Sequence, residues 1–179
     1  MRVVSALFIS SLMYCSAAIA AEHFEIKGFH VGMTYDQFQN VVGQYSWTGY
    51  VDNRTNKKLP KGNRPFTLAG VALAESPSWM NDDQTLVGGA ERIVFTIPVA
   101  QVNSVIQSLK GKYPDFSCRQ VNTVDGARSR VETECSLEAN REQLEFSAGL
   151  NPEHWLLFIT SFDYLYKRTH NPRYKNVDL

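Results

Sequence analysis

Cys118 and Cys135 constrain this chain more than any other two residues. Each lies in a stretch that reads as a strand, and a bond between them would lock the two stretches into one hairpin. Antiparallel partners share a constant sum of residue numbers. The sum set by this pair leaves residues 125–128 as the connecting loop, a workable hairpin turn. It also puts Arg119 opposite Glu134, a favourable cross-strand charge pair. Two unrelated features therefore select one register. A redox or metal site is the rival reading, and it lacks both a Cys-x-x-Cys spacing and a nearby histidine.

A structural disulfide needs an oxidising compartment, and the start of the chain predicts one. Met1-Arg2 is a short basic opening, residues 3–14 are mostly apolar, and Ala18-Ile19-Ala20 is a small-x-small cleavage pattern. That combination is a secretory signal peptide, expected to span residues 1–20. Cys15 would leave with it, so that Cys118 and Cys135 are the cysteines of the mature chain. The apolar run is interrupted by Ser10, Ser11 and Ser16, and a durable membrane span needs about 20 apolar residues. No transmembrane segment is expected after cleavage. Tyr14 stands where a lipoprotein would place a small residue before its cysteine, which argues against an anchor at Cys15. The expected location is periplasmic or secreted.

Removing 20 residues of the 179 leaves 159, and 18 basic side chains less Arg2 against 18 acidic ones give a mature net charge of −1. A chain of that size can bury roughly two thirds of its unfolded surface, enough for a single core. Residues 21–179 are read as one exported domain. Near-neutral charge gives no general pull toward nucleic acid or anionic membrane, and nucleic acid is not expected as a partner.

The punctuation along the chain predicts its elements. A short strand is expected at residues 24–29. Thr34 then suits a helix N-cap, with Gln37 three residues on to close a capping box, and Met33 and Phe38 are spaced as a hydrophobic staple. Phe38, Val41 and Val42 form the apolar stripe, and Gly43 can end the helix. Strands are expected at 45–51 and 66–74, with Gly70 a bulge or bend, separated by a turn-rich basic loop. Residues 75–89 read as a long loop. A strand follows at 92–97. Pro98 then opens a second helix whose apolar positions are Val99, Val102, Ile106, Leu109 and Tyr113, ended by Gly111 and Pro114. Four strands complete the pattern, at 115–123, 130–137, 143–149 and 155–166, the last apolar on both faces and so central or doubly covered. The expected fold class is α+β: an antiparallel β-sheet with two packed α-helices and one disulfide.

No catalytic constellation stands out. His23, His30, His154 and His170 form no His-x-x-x-His or His-x-His pair, so a metal site is not expected. There is no nucleophile elbow and no phosphate loop, and no cofactor is expected. Glu132 and Glu134 share a strand face but read as an exposed hairpin surface balanced by Arg119 and Arg130. Asn53-Arg54-Thr55 is a glycosylation sequon. Residues 167–175 carry Lys167, Arg168, Arg173 and Lys175, which read as a solvated tail. Trp79 and Met80 sit in the polar run of residues 78–83. Such side chains either pack inward or meet a partner, and under the second reading they are the candidate partner-binding residues.

The run Val31-Gly32-Met33-Thr34-Tyr35-Asp36-Gln37-Phe38 resembles the Gly-Met-Thr-x-x-Gln-apolar helix start of the beta-lactamase inhibitor proteins. It is also similar to the small outer-membrane lipoproteins of the barrel-assembly machinery. The resemblance covers about a dozen residues. It implies an exported domain that sets helices against an antiparallel sheet and acts by binding other proteins. The expected function is non-enzymatic binding of a protein or cell-envelope component. The alternative is a small cell-envelope hydrolase whose site is gathered from distant residues. N-terminal sequencing of exported protein should begin at Ala21, and an intact Met1 or a lipid-modified Cys15 would overturn the localisation.

Overall fold

The computed structural model describes residues 23–47, 51–52, 57–58, 62–73, 75–81, 87–125, 128–148 and 152–170. The proposed leader and cleavage site, the Asn53 sequon, Lys61, Asp82, Asp83, Arg173 and Lys175 lie outside them.

The frame is a six-stranded antiparallel sheet. Its strands are β1 (Ser78–Met80), β2 (Arg92–Pro98), β3 (Ser117–Asp125), β4 (Arg128–Ala139), β5 (Glu142–Ala148) and β6 (His154–Ser161). Their spatial order is β1-β2-β6-β5-β4-β3. Three helices accompany it among the described residues: α1 (Tyr35–Val42), α2 (Val102–Lys112) and α3 (Phe162–His170). The α+β class is as expected, with one helix more than the sequence indicated.

The hairpin register is the one set by the cysteines. Cys118 pairs with Cys135, Arg119 with Glu134 and Asp125 with Arg128. The disulfide is formed, and the Arg119 guanidinium lies 3.2 Å from the Glu134 carboxylate. β4 pairs with β5 only over Glu134–Ala139, whereas its pairing with β3 runs on to Arg128. The outer half of the β3–β4 hairpin is thus a two-stranded ribbon projecting past β5. A two-stranded ribbon is marginal by itself. The disulfide sits at its root, where Cys135 is fully buried.

Local chemistry explains the helices. At α1 the Thr34 hydroxyl accepts from Gln37 N at 3.2 Å, and Thr34 N donates to Gln37 Oε1 at 2.7 Å. The capping box is complete. After β2 the chain makes a 3-10 turn at Val99–Gln101 before α2 begins. That turn swings Val99 out to 51% exposure, so the buried face of α2 is Val102, Val105 and Leu109 and excludes Val99. The third helix corrects the expected strand at 155–166. β6 stops at Ser161, whose hydroxyl accepts from Tyr164 N at 3.2 Å. That is an N-cap. Asp163 in the first turn and Lys167, Arg168 and His170 in the last match the helix dipole.

Among the described residues, the segments before β1 form no large sheet. Ile26 and Phe29 make an isolated bridge where a strand was expected. Tyr45–Ser46 pairs with Arg64–Pro65, and Val51–Asp52 pairs with Lys57–Lys58. Thr67–Leu68 folds back on Val71–Ala72. Of the bulge or bend expected at Gly70, the chain makes the bend: Ala69 and Gly70 both have positive φ, the geometry of a two-residue hairpin turn. Gly89 has a different reason. A Cβ there would come within 2.5 Å of Gly32 O, where the segment leading into α1 bonds to Ala90.

The core lies between the inner face of the sheet and a cover made by the segments before β1 together with α2. Trp79, Ile93, Phe95, Ile97, Leu157, Ile159, Leu144, Phe146 and Cys135 supply the sheet side. Phe29, Phe38, Phe66, Met33 and Val105 are among those that cover it. Replacing Cys118 and Cys135 together with serine should lower stability by about 3 kcal/mol, from the unfolded-chain entropy of a loop this size. The urea midpoint would move down accordingly, and an unchanged midpoint would show that the ladder alone secures the ribbon.

Candidate functional site: the outer sheet face

Because strand side chains alternate, the register fixes which residues line the outer face. Three cross-strand rows follow. Met80, Arg92, Thr160, Gln143 and Glu138 form the first. Ser78, Val94, Phe158, Glu145, Ser136 and Ser117 form the second. Thr96, Leu156, Ser147, Glu134 and Arg119 form the third.

α3 turns back onto the first row. The Arg92 guanidinium lies 3.8 Å over the Phe158 ring and 5.9 Å from that of Tyr164. Burial there lowers the Arg92 pKa from its ordinary value, opposed by the neighbouring Tyr164 and Glu145. Lys167 on α3 reaches Glu91 at 2.6 Å. Thr160 in this row is fully buried, and Phe158, under the Arg92 guanidinium, nearly so.

The second and third rows are more open and have two chemistries. Val94, Thr96 and Leu156 on β2 and β6 are half-buried. Glu145, Ser147, Ser136 and Glu134 on β5 and β4 are half-buried and polar. Glu134 is held by Arg119, and Ser147 donates to Glu145 at 2.9 Å. The charge balance proposed for Glu134 is therefore present. Beside α3, a shallow groove is lined by Glu138, Arg141, Phe162, Asp163 and Tyr166 among others. The Arg141–Asp163 pair crosses it at 2.7 Å, with both side chains so exposed that the pair adds little stability.

Trp79 and Met80 part company. Trp79 is 4% exposed, faces the core beside Ile93 and packs edge-on against Tyr35 at 5.5 Å. Its indole N–H donates to Met33 O at 3.1 Å. The expected loop is a strand here, and alternation drives one neighbour in and the other out. A partner-facing Trp79 is thereby corrected to a core residue, the inward-packing reading. Met80 is half-buried on the outer face, in the row under α3.

His23 and His30 lie together, their rings stacked with centroids 6.1 Å apart, whereas His170 sits at the end of α3. His23 Nδ1 lies 2.5 Å from Glu142 Oε1, and Phe24 N donates to Glu142 Oε2 at 2.8 Å. Glu142 is nearly buried, while the His23 side chain is 57% exposed. Both carboxylate oxygens are thus engaged in fastening residues 23–24 to β5. No motif marked this contact between residues so distant in sequence. His30 donates from Nδ1 to Val31 O, and His170 stacks on Tyr166 at 4.2 Å. Among the described residues, no group of three His, Cys, Asp or Glu side chains is placed to hold a metal ion. No described helix is long and apolar enough to cross a membrane.

No protein-family model, curated protein or solved structure matches this chain. The site therefore rests on its own geometry. Trp79→Ala should destabilise the fold by about 3–5 kcal/mol, as deletion of a buried aromatic does. A melting temperature close to that of the parent would return Trp79 to the surface.

Proposed function

We propose that this chain is an exported, periplasmic or secreted, non-enzymatic domain that binds a protein or cell-envelope component through the outer face of its sheet. One observation carries the reading. A sheet with one solvated face is expected to place polar residues there, yet β2 and β6 place the half-buried apolar side chains of Val94 and Leu156 on that face. Apolar side chains set against a polar margin are the usual composition of a protein-binding patch. Glu145, Ser147, Ser136 and Glu134 would supply that margin, and Met80 lies at the opposite border of the face. The exported location rests on the leader pattern and agrees with a disulfide between the two remaining cysteines.

The hydrolase alternative has one observation in its favour, the His23–Glu142 contact. The geometry favours a fastening role, because the second carboxylate oxygen is already bound by a backbone N–H.

Immobilised mature protein should capture a partner from envelope extract, and Leu156→Glu should weaken its binding by about 2 kcal/mol, roughly thirty-fold. Titration calorimetry with the purified partner gives the number. Full affinity in a folded Leu156→Glu variant would remove the outer face from consideration.

A further inference from the structure

The two edges of the sheet are treated differently. β1 is an edge of three residues, Ser78–Met80, entered directly from Pro77. A short strand flanked by proline is a common way to blunt an edge. β3 is the other edge and runs for nine residues, Ser117–Asp125. It contains no proline, lysine or glycine. Its register with β4 is unbroken by any bulge. An open edge of this length is a template for another strand.

The disulfide shows which backbone groups that template offers. The Cys118 and Cys135 Cα atoms are 3.9 Å apart. So close an approach marks a non-hydrogen-bonded pair of an antiparallel ladder. The N–H and C=O groups of Cys118 therefore point away from β4. By alternation, so do those of Gln120, Asn122 and Val124, while residues 117, 119, 121, 123 and 125 bond inward. Among the described residues no strand pairs on this outer side.

We propose that β3 pairs with β3 of a second copy of this chain, antiparallel and centred on Asn122. The strand is complementary to itself. With Asn122 opposite itself, Gln120 falls opposite the partner's Val124, and both present outward backbone groups, so the hydrogen bonds are in phase. Arg119 falls opposite the partner's Asp125, twice by symmetry, and Val121 opposite the partner's Thr123. No like charges meet, and opposite charges across strands are favourable. The Arg119 side chain is 72% exposed even while paired with Glu134, which leaves it room for a second carboxylate. A two-fold axis normal to the sheet keeps the inner faces of both copies on one side. The symmetric contact is closed, as a two-fold dimer must be, and joins the two sheets into one. It leaves the apolar outer positions of β2 and β6 uncovered, so it stands or falls independently of the partner-binding reading.

Sedimentation velocity of the mature, disulfide-bonded chain over a concentration series tests it. The parent should pass from monomer to dimer. Asn122→Pro removes an N–H that points away from β4, where proline is tolerated, and should be monomeric at every concentration used. Asp125→Arg should also be monomeric, and Arg119→Asp with Asp125→Arg should regain the dimer. The charge pair keeps the test decisive should the proline variant misfold, which circular dichroism and the mass of the intact disulfide would reveal. A parent that stays monomeric throughout, or a folded Asn122→Pro variant that still dimerises, overturns the proposal.

Discussion

Phe95 is the side chain on which the two halves of the molecule meet. It stands mid-strand on the inner face of β2 and is almost wholly buried. Phe29 packs against it edge-on at 5.6 Å and Phe66 stacks at 6.0 Å. Phe29 in turn meets Phe38 of α1 at 5.6 Å, and Phe66 meets Tyr45 and Trp47. The described strand pairs of the first half are two residues long, too short to bury apolar surface for themselves. Their aromatic residues find their contacts instead on a surface built by the second half. Aromatic pairs of this kind add specific geometry to their burial, which is how a segment with so little ladder keeps a defined arrangement.

The legible parts of this fold were those specified by neighbours in sequence. The α1 cap is contained in Thr34 and Gln37. The β3–β4 register is contained in two cysteines and one charge pair. The α3 boundary was equally local but masked: Ser161 lies inside an apolar run, and the strand pattern of β6 outweighed a single hydroxyl. β1 was hidden for a different reason. Three residues are too few to display a period, and their pairing is set by β2. Trp79 follows from that pairing, since its inward direction is a matter of register. The His23–Glu142 contact could not be read at all, because nothing in either residue's neighbourhood announces the other.

The outer face shows the same division. β6 was legible as apolar on both sides and is indeed interior in the sheet order. What covers its outer side could not be read from β6 itself. Phe158 and Thr160 are buried while Leu156 is only half-buried, so one strand passes from covered to open within a few residues. Arg92 is the hinge of that change: its planar cation bridges the ring of Phe158 and the helix, satisfying an aromatic face that would otherwise be wet.

The engagement of Glu142 by His23 and Phe24 has a consequence for the order in which the molecule can be made. The two contacting segments are more than a hundred residues apart, so closing them carries the entropy of a long loop. Contacts of such long range are slow to form. The earliest described residues to be synthesised can dock only after β5 has emerged, when most of the chain is already present. Until then Glu142 has neither of these partners, and its native burial would be unfavourable. Synthesis runs from the amino end, but this contact waits for a strand made much later, so that His23 and Phe24 reach their native place only after β5 is present.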